Sequence, residues 1–413
     1  MIRFSALMRL ILLAALTASG CGGVEHPGEQ SSAARSGTKL GDFTGSGPGT
    51  LIDAYTWPDI DGRLRDVTSL AARITYTSTS GINESYPKVT GSVFVPKGNP
   101  PEAGWPLIAF GHPPTGIRPE CAPSSSPTLL DSVTTVAALV SAGFVVTVSD
   151  YQGLGRSEIY HPYLDSTTVG YDLIDSVRAA RRLVPNTSDR WVALGASQGG
   201  QAAWAANEMV ENAGGTLHLL GTVSVAPIAD VNGFADAAAA GALTKDQQLA
   251  LQAYLASLKA EYSDFDLDPF RRGIVQEKWD VLSACAGPAA EERLKVADQI
   301  TADDLRPSNP EAVDTLRGFL EKTTLPQGPT TAPMLVIYGG QDPLMPAEWT
   351  DRALLRACKM GDVIQIQLQP ERRGPDIDLP AVMGWINARF NGDPAPNDCA
   401  AFMAAHVSPG DGG

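Results

Sequence analysis

The chain is 413 residues long, with a formal charge of −15 at neutral pH, 43% apolar residues and 19% charged residues. This composition supplies a large buried core and excludes a wholly disordered chain. The acidic surface it implies repels phosphate backbones, which argues against a nucleic-acid partner. Five cysteines are too few for a disulfide scaffold, and none shows the C-x-x-C spacing of a zinc site.

Residues 1–20 predict a signal peptide: Arg3 and Arg9 make a basic start, Leu10 to Leu16 an apolar stretch, and Ala18, Ser19 and Gly20 a small-residue end. The apolar stretch is too short to span a bilayer. Cys21 follows directly, as in a bacterial lipobox, and becomes an acylated N-terminus in that reading. A plain signal peptide with an incidental cysteine is the alternative. Lipid attachment would tether the protein to a membrane, through a flexible Gly- and Ser-rich spacer over 21–48. The expected address is the bacterial cell envelope, or secretion if Cys21 carries no lipid. In an oxidising compartment the other four cysteines pair, and four cysteines allow three pairings.

From residue 71 onward, short β-rich runs alternate with helical patterns. Strands are expected at Ile74–Ser78, Val89–Val95, Pro106–Gly111, Phe144–Ser149, Trp191–Gly195, Leu220–Ala226, Pro333–Tyr338 and Val363–Gln369. The middle ones are nearly continuous apolar runs, as in a parallel sheet covered on both faces. Helices are expected at Leu129–Ala142, Thr167–Leu183, Gln198–Ala213 and Pro380–Phe390. This alternation predicts an α/β fold, a mostly parallel sheet flanked by helices. Between Ala226 and Pro333 no strand-like run occurs, and helices are expected at Leu243–Tyr262 and Pro310–Lys322. That stretch reads as a helical cap over 231–326, inserted into a core made of 49–230 and 327–402, with a tail at 403–413.

Gly195-Ala196-Ser197-Gln198-Gly199 lies where a buried strand gives way to an Ala-rich helix. A G-x-S-x-G in that setting is a nucleophile elbow, whose glycines permit the tight turn that lifts the serine hydroxyl clear. The amide of Gln198 then points toward a developing oxyanion. A serine needs a base, and the base needs a carboxylate. Asp342, just past the strand ending at Tyr338, stands where the acid belongs. The base should lie between the last strand and the last helix, but that loop, Pro370 to Asp378, has no histidine. Of His26, His112, His161, His218 and His406, only His406 follows Asp342. It is the expected base if the tail folds back, and an exposed tail histidine otherwise.

These residues resemble the secretory lipase family, the lipase-A-like branch of the α/β-hydrolases. The resemblance rests on Phe110-Gly-His112 through Gly116, Cys121-Ala-Pro-Ser124 and Asp150-Tyr-Gln-Gly-Leu-Gly155. It also rests on His161-Pro-Tyr-Leu164, Asp175 to Ala180, Ser197-Gln-Gly-Gly200 and Trp385 to Phe390 leading to Cys399. It implies an α/β-hydrolase fold with an inserted helical cap, and a secreted enzyme acting on triacylglycerols or shorter acyl esters. It further implies Ser197 as nucleophile, Asp342 as acid, disulfides Cys121–Cys285 and Cys358–Cys399, and no cofactor.

Two departures stand out. The family has a histidine near Gly374-Pro375-Asp376, where this chain has Pro375. Relatives read His-Gly-Thr-Thr-Gly where this chain reads His112-Pro113-Pro114-Thr115-Gly116. Proline has no N–H to donate, so half the oxyanion hole is missing if the second donor falls at Pro113 or Pro114, and Thr115 is the alternative donor. Losing a triad base costs about 10⁴–10⁶ in rate. His112, Glu371, Asp376 and Asp378 are the remaining candidate bases, although His112 reads more simply as an anchor for its loop. A catalytically silent relative that binds a lipid or acyl ligand is the alternative function.

His161 and Tyr163 read as turn-shaping residues. Asp264, Asp266 and Asp268 lack the glycine and terminal glutamate of a calcium loop, and Gly153-Leu-Gly155 is not a dinucleotide motif.

Overall fold

The computed structural model describes residues 37–285 and 290–406. The expected signal peptide, Cys21, His26, the first part of the expected spacer and the end of the tail lie outside the described residues.

Nine strands form one sheet: β1 (Leu51–Thr56), β2 (Thr68–Thr77), β3 (Lys88–Pro96), β4 (Trp105–Gly111), β5 (Val145–Ser149), β6 (Thr187–Ala196), β7 (His218–Val225), β8 (Met334–Gly339) and β9 (Ile364–Gln369). Their order is β1-β2-β3-β5-β4-β6-β7-β8-β9. The first three strands pair antiparallel and β3 pairs antiparallel with β5, while β5 through β9 are parallel throughout. Every residue of β5 and β8 is buried, because helices cover both faces of this part of the sheet.

All eight expected strands are present. The sequence reading missed β1, whose LIDAYT run turns only Leu51 and Ala54 fully inward, and it began β2 six residues late. The hidden half of β2 contains Arg73, a cation that reads as a loop residue. In the fold its guanidinium lies 4.0 Å over the Trp57 ring and donates to the Ser124 carbonyl.

The four expected core helices are found at Val133–Ser141, Ser166–Leu183, Gln198–Ala213 and Leu379–Asn391. Three more were not foreseen, one of them the single turn Gly62–Arg65. Ala347–Met360 joins β8 to β9 and buries Trp349, Ala353, Leu354 and Ala357. Cys399–His406 packs on that helix and on β9.

Between β7 and β8 the described residues contain helices and loops but no strand. The longest helix, Lys245–Glu261, begins with a capping box between Thr244 and Gln247. Asn309 caps the second, Pro310–Thr323, by accepting from the Ala312 amide. Together they build an apolar cluster around Phe234, Leu255, Phe270 and Leu316. Tyr163 and Trp349 from the core join this cluster, so the insertion is seated on the sheet domain.

The disulfides Cys121–Cys285 and Cys358–Cys399 are both formed. The first ties the segment after β4 to the insertion across 164 residues of chain, the second closes 41. Loop-closure entropy puts their stabilisation at about 5 and about 4 kcal/mol.

Candidate active site

β6 ends at Ala196 and the next helix begins at Gln198. Ser197 between them has φ 56° and ψ −117°, a region that ordinary side chains avoid because Cβ crowds the backbone. Three contacts hold it there. The Ser197 amide donates to the Val225 carbonyl at 2.9 Å, and its carbonyl accepts from Gln201 at 3.0 Å and Ile228 at 3.3 Å. The turn is tight enough that a Cβ on Gly199 would collide with the Gly111 backbone, and one on Gly195 with the Gly199 backbone. The sequence therefore supplies glycine on both sides of the serine for a steric reason.

Ser197 opens into a cavity of about 300 Å³. Pro113, Pro114 and Ile117 line it from the segment after β4, and Leu344 and Pro375 from the far side. The helix Lys245–Glu261 adds Asp246, Leu249 and Ala253. Among the described residues, no hydrogen bond reaches the Ser197 hydroxyl.

Asp342 sits in the turn after β8, partly buried. Its Oδ1 accepts from the amides of Leu344 at 2.8 Å and Met345 at 3.1 Å. Burial raises its pKa, and these two amides and Arg372 act against that rise. The same turn is bonded to the loop after β9: Gly340 donates to the Gln369 carbonyl and Gln341 to the Arg372 carbonyl, both at 3.0 Å. That loop carries Pro375 into the Ser197 cavity. The fold thus joins the turn of Asp342 to the loop after β9, and the residue of that loop that lines the cavity with Ser197 is a proline.

The structure places the candidate base His406 elsewhere. It ends the helix Cys399–His406, where Nδ1 contacts the Phe402 carbonyl at 2.9 Å and Nε2 lies 3.7 Å from Asp351. It is exposed and does not line the cavity. The Cys358–Cys399 disulfide explains this, because it fixes the chain end against the helix Ala347–Met360 rather than letting it turn back. His218 is also remote, at the opening of β7 beside Arg190, the end of the sheet away from Ser197.

His112 is fully buried and stacks on Tyr151 with ring centroids 4.2 Å apart. Its Nδ1 meets the Pro113 carbonyl at 2.7 Å. Burial pushes its pKa down to about 4, so at neutral pH it is an uncharged strut for its own loop. Glu371 accepts from the Gln341 side chain, and Asp378 caps the last core helix. Neither these two nor Asp376 lines the cavity.

The two oxyanion candidates differ in their surroundings. Gln198 is the first residue of its helix, where amides have no intrahelical acceptor. Thr115 is buried, its amide donates to no backbone carbonyl among the described residues, and its hydroxyl is hydrogen-bonded to none of them. Thr115 does not itself line the cavity, whereas its neighbours Pro114 and Gly116 do.

The sequence reading missed what His161 does. Its Nδ1 donates to the Gln152 carbonyl at 2.8 Å, which leaves Nε2 to accept from the Gln198 side-chain amide at 3.1 Å. Burial pushes its pKa down to about 4, which keeps that nitrogen free to accept. Ser257 of the helix Lys245–Glu261 donates to the His161 carbonyl at 2.7 Å and accepts from the Tyr163 amide at 2.8 Å. His161 therefore joins the start of the Ser197 helix to the insertion. Nothing in its spacing announces a partner 37 residues away.

The family model for secretory lipases matches residues 123–398, most of the chain. The chain belongs to the secretory lipase family. A search of curated proteins returns no match. Among solved structures it is similar to Candida antarctica lipase A in its closed state, with a TM-score of 0.67 at 14% identity, covering 88% of this chain and 92% of that one. A putative hydrolase from Legionella pneumophila gives a TM-score of 0.65 at 17% identity, covering 87% and 99%. The ligand-bound rice cell wall degrading esterase LipA from Xanthomonas oryzae gives 0.62 at 20% identity, covering 87% and 98%. At these identities the likeness establishes the fold, an α/β-hydrolase with an inserted helical cap. Secretory-lipase membership makes the chain a lipase- or esterase-like hydrolase, and its two disulfides suit an oxidising compartment.

Proposed function

We propose that Ser197 attacks carboxylic esters bound in its cavity, forms an acyl-enzyme and turns over slowly, because no imidazole among the described residues bonds to its hydroxyl. The observation that carries this reading is the backbone of Ser197 at φ 56° and ψ −117°, with the residue opening into the cavity. A strained non-glycine turn of this kind costs on the order of 1–3 kcal/mol, and an elbow is the chemistry that uses it.

In this reading the Ser197 oxygen bonds to the ester carbonyl carbon as its proton passes to solvent. The tetrahedral oxyanion takes hydrogen bonds from the Gln198 and Thr115 amides. The alcohol leaves with a proton, and water then releases the acid from Ser197. Asp342 remains as the acid of a triad whose base position is Pro375. Binding and oxyanion stabilisation alone leave about 10³–10⁴ in rate over water.

The cap over 231–326 closes the site above the core made of 49–230 and 327–402. A leader over 1–20, acylation at Cys21 and a spacer to residue 48 would hold the enzyme at a cell envelope, facing its ester substrate.

A second reading has its own support: Pro375 in the cavity, and His112 and His161 buried and engaged, favour a silent relative that binds an acyl ligand. A short-chain p-nitrophenyl ester assay with fluorophosphonate labelling, run beside Ser197→Ala, separates the two. Turnover and labelling that vanish in the variant support the hydrolase. Folded protein with neither signal supports the binder.

A further inference from the structure

Arg293 stands on the helix Ala290–Ala297 of the insertion and lines the cavity into which Ser197 opens. Among the described residues its one hydrogen bond runs from Nε to the Leu282 carbonyl at 3.0 Å, and no carboxylate pairs with it. Arg178 and Arg356 are neutralised by Asp175 and Asp230, and the buried Arg389, without a carboxylate among the described residues, is held by the carbonyls of Asp393 and Pro394; Arg293 differs in facing a cavity. A partly buried cation without an anion is costly, and burial indeed pushes the Arg293 pKa below the usual arginine range, with Tyr163 acting against it. Most of its surroundings in the cavity are apolar, including Ile117, Leu249 and Leu344. Asp246 also lines the cavity, but it is exposed and forms no ion pair with Arg293 among the described residues.

We propose that Arg293 receives an anionic group of the substrate, so that the site takes hemi-esters of short dicarboxylic acids: the ester carbonyl at Ser197, the free carboxylate on the guanidinium. This rests on the reading of the cavity as the ester site. A guanidinium fork fits a planar carboxylate, and a single cation matches a monoanion better than a dianionic phosphate. The cavity, about 300 Å³, is at the small end of ligand pockets, which suits a short acid.

The test measures binding rather than turnover, in full-length mature protein carrying Ser197→Ala. Monoethyl glutarate and its uncharged counterpart ethyl valerate are titrated calorimetrically. The expected result is a preference of about tenfold or more for the anion, the usual worth of a charge-assisted hydrogen bond. Adding Arg293→Met should erase the preference and Arg293→Lys should keep part of it, with thermal unfolding confirming that each variant is folded. Equal binding of the two ligands, or a preference that survives Arg293→Met, overturns the proposal. Loss of Ser197-dependent hydrolysis in the parent protein with the preference intact would overturn the hydrolase reading and leave this one standing.

Discussion

Pro375 and Ser197 line one cavity, and the loop that carries Pro375 is hydrogen-bonded to the turn that presents Asp342. In the proposed hydrolase Ser197 would be the nucleophile, Asp342 the acid and Pro375 the residue at the base position, a ring with no titratable nitrogen. The buried imidazoles among the described residues are committed elsewhere, His112 to its own loop and His161 to Gln198.

The glycines of the elbow are expected to tolerate no side chain. Gly199→Ala sets a methyl group against the Gly111 backbone, where neither strand nor helix can yield. It should destabilise the protein by roughly 2–4 kcal/mol, in the range of severe packing defects, and abolish labelling of Ser197. Chemical denaturation and fluorophosphonate labelling check both effects. An unchanged midpoint with full labelling would mean that the elbow is looser than described.

The ester hydrolysis rate should lack a limb between pH 5 and 8. Both buried histidines have their pKa lowered to about 4, so neither changes charge in that window, and His406 stands apart. The rate should instead climb with hydroxide concentration, as expected for a hydroxyl that loses its proton to solvent. A sigmoid centred near 6–7 would reveal an imidazole at work.

His161→Gln should alter how stability depends on pH. The folded-state pKa of about 4 lies below the ordinary value of 6.5, so the unfolded chain binds the proton more readily. The stability contributed by neutral His161 is therefore full above 6.5, declines as pH falls through 6.5 and is gone near 4. Glutamine carries no such titration. The gap between wild type and variant should narrow over that range, by up to roughly 3 kcal/mol. Denaturation midpoints at pH 7 and pH 4.5 measure it, and a gap that stays constant would contradict the assignment.

Most of the sheet was legible in the sequence, because strands buried on both faces carry apolar runs, and β4 to β8 carry them over most of their length. What escaped was half-exposed: β1 buries little, β2 opens on Thr68 and Ser69 and carries Arg73, and the helix Ala347–Met360 hides its apolar stripe among charges. The tight turn at Ser197 was legible because its steric demands require the flanking glycines, and so was the lack of a histidine between Pro370 and Asp378, which can be counted. The placement of His406 was not, since it depends on where Cys399 is tied. Nor was the bond from His161 to Gln198, a tertiary contact that leaves no periodic trace.

The most direct measurement is the pH–rate profile of Pro375→His against wild type, with a p-nitrophenyl ester as substrate. If Ser197 is a complete nucleophile that lacks only its base, the new imidazole beside Asp342 should raise turnover by about 10²–10⁴, the usual contribution of general-base catalysis. A limb near pH 6.5 should accompany it, and both gains should vanish with Ser197→Ala. Turnover unchanged in a folded Pro375→His protein, with no new limb, would contradict the claim that this site is a hydrolase missing one residue.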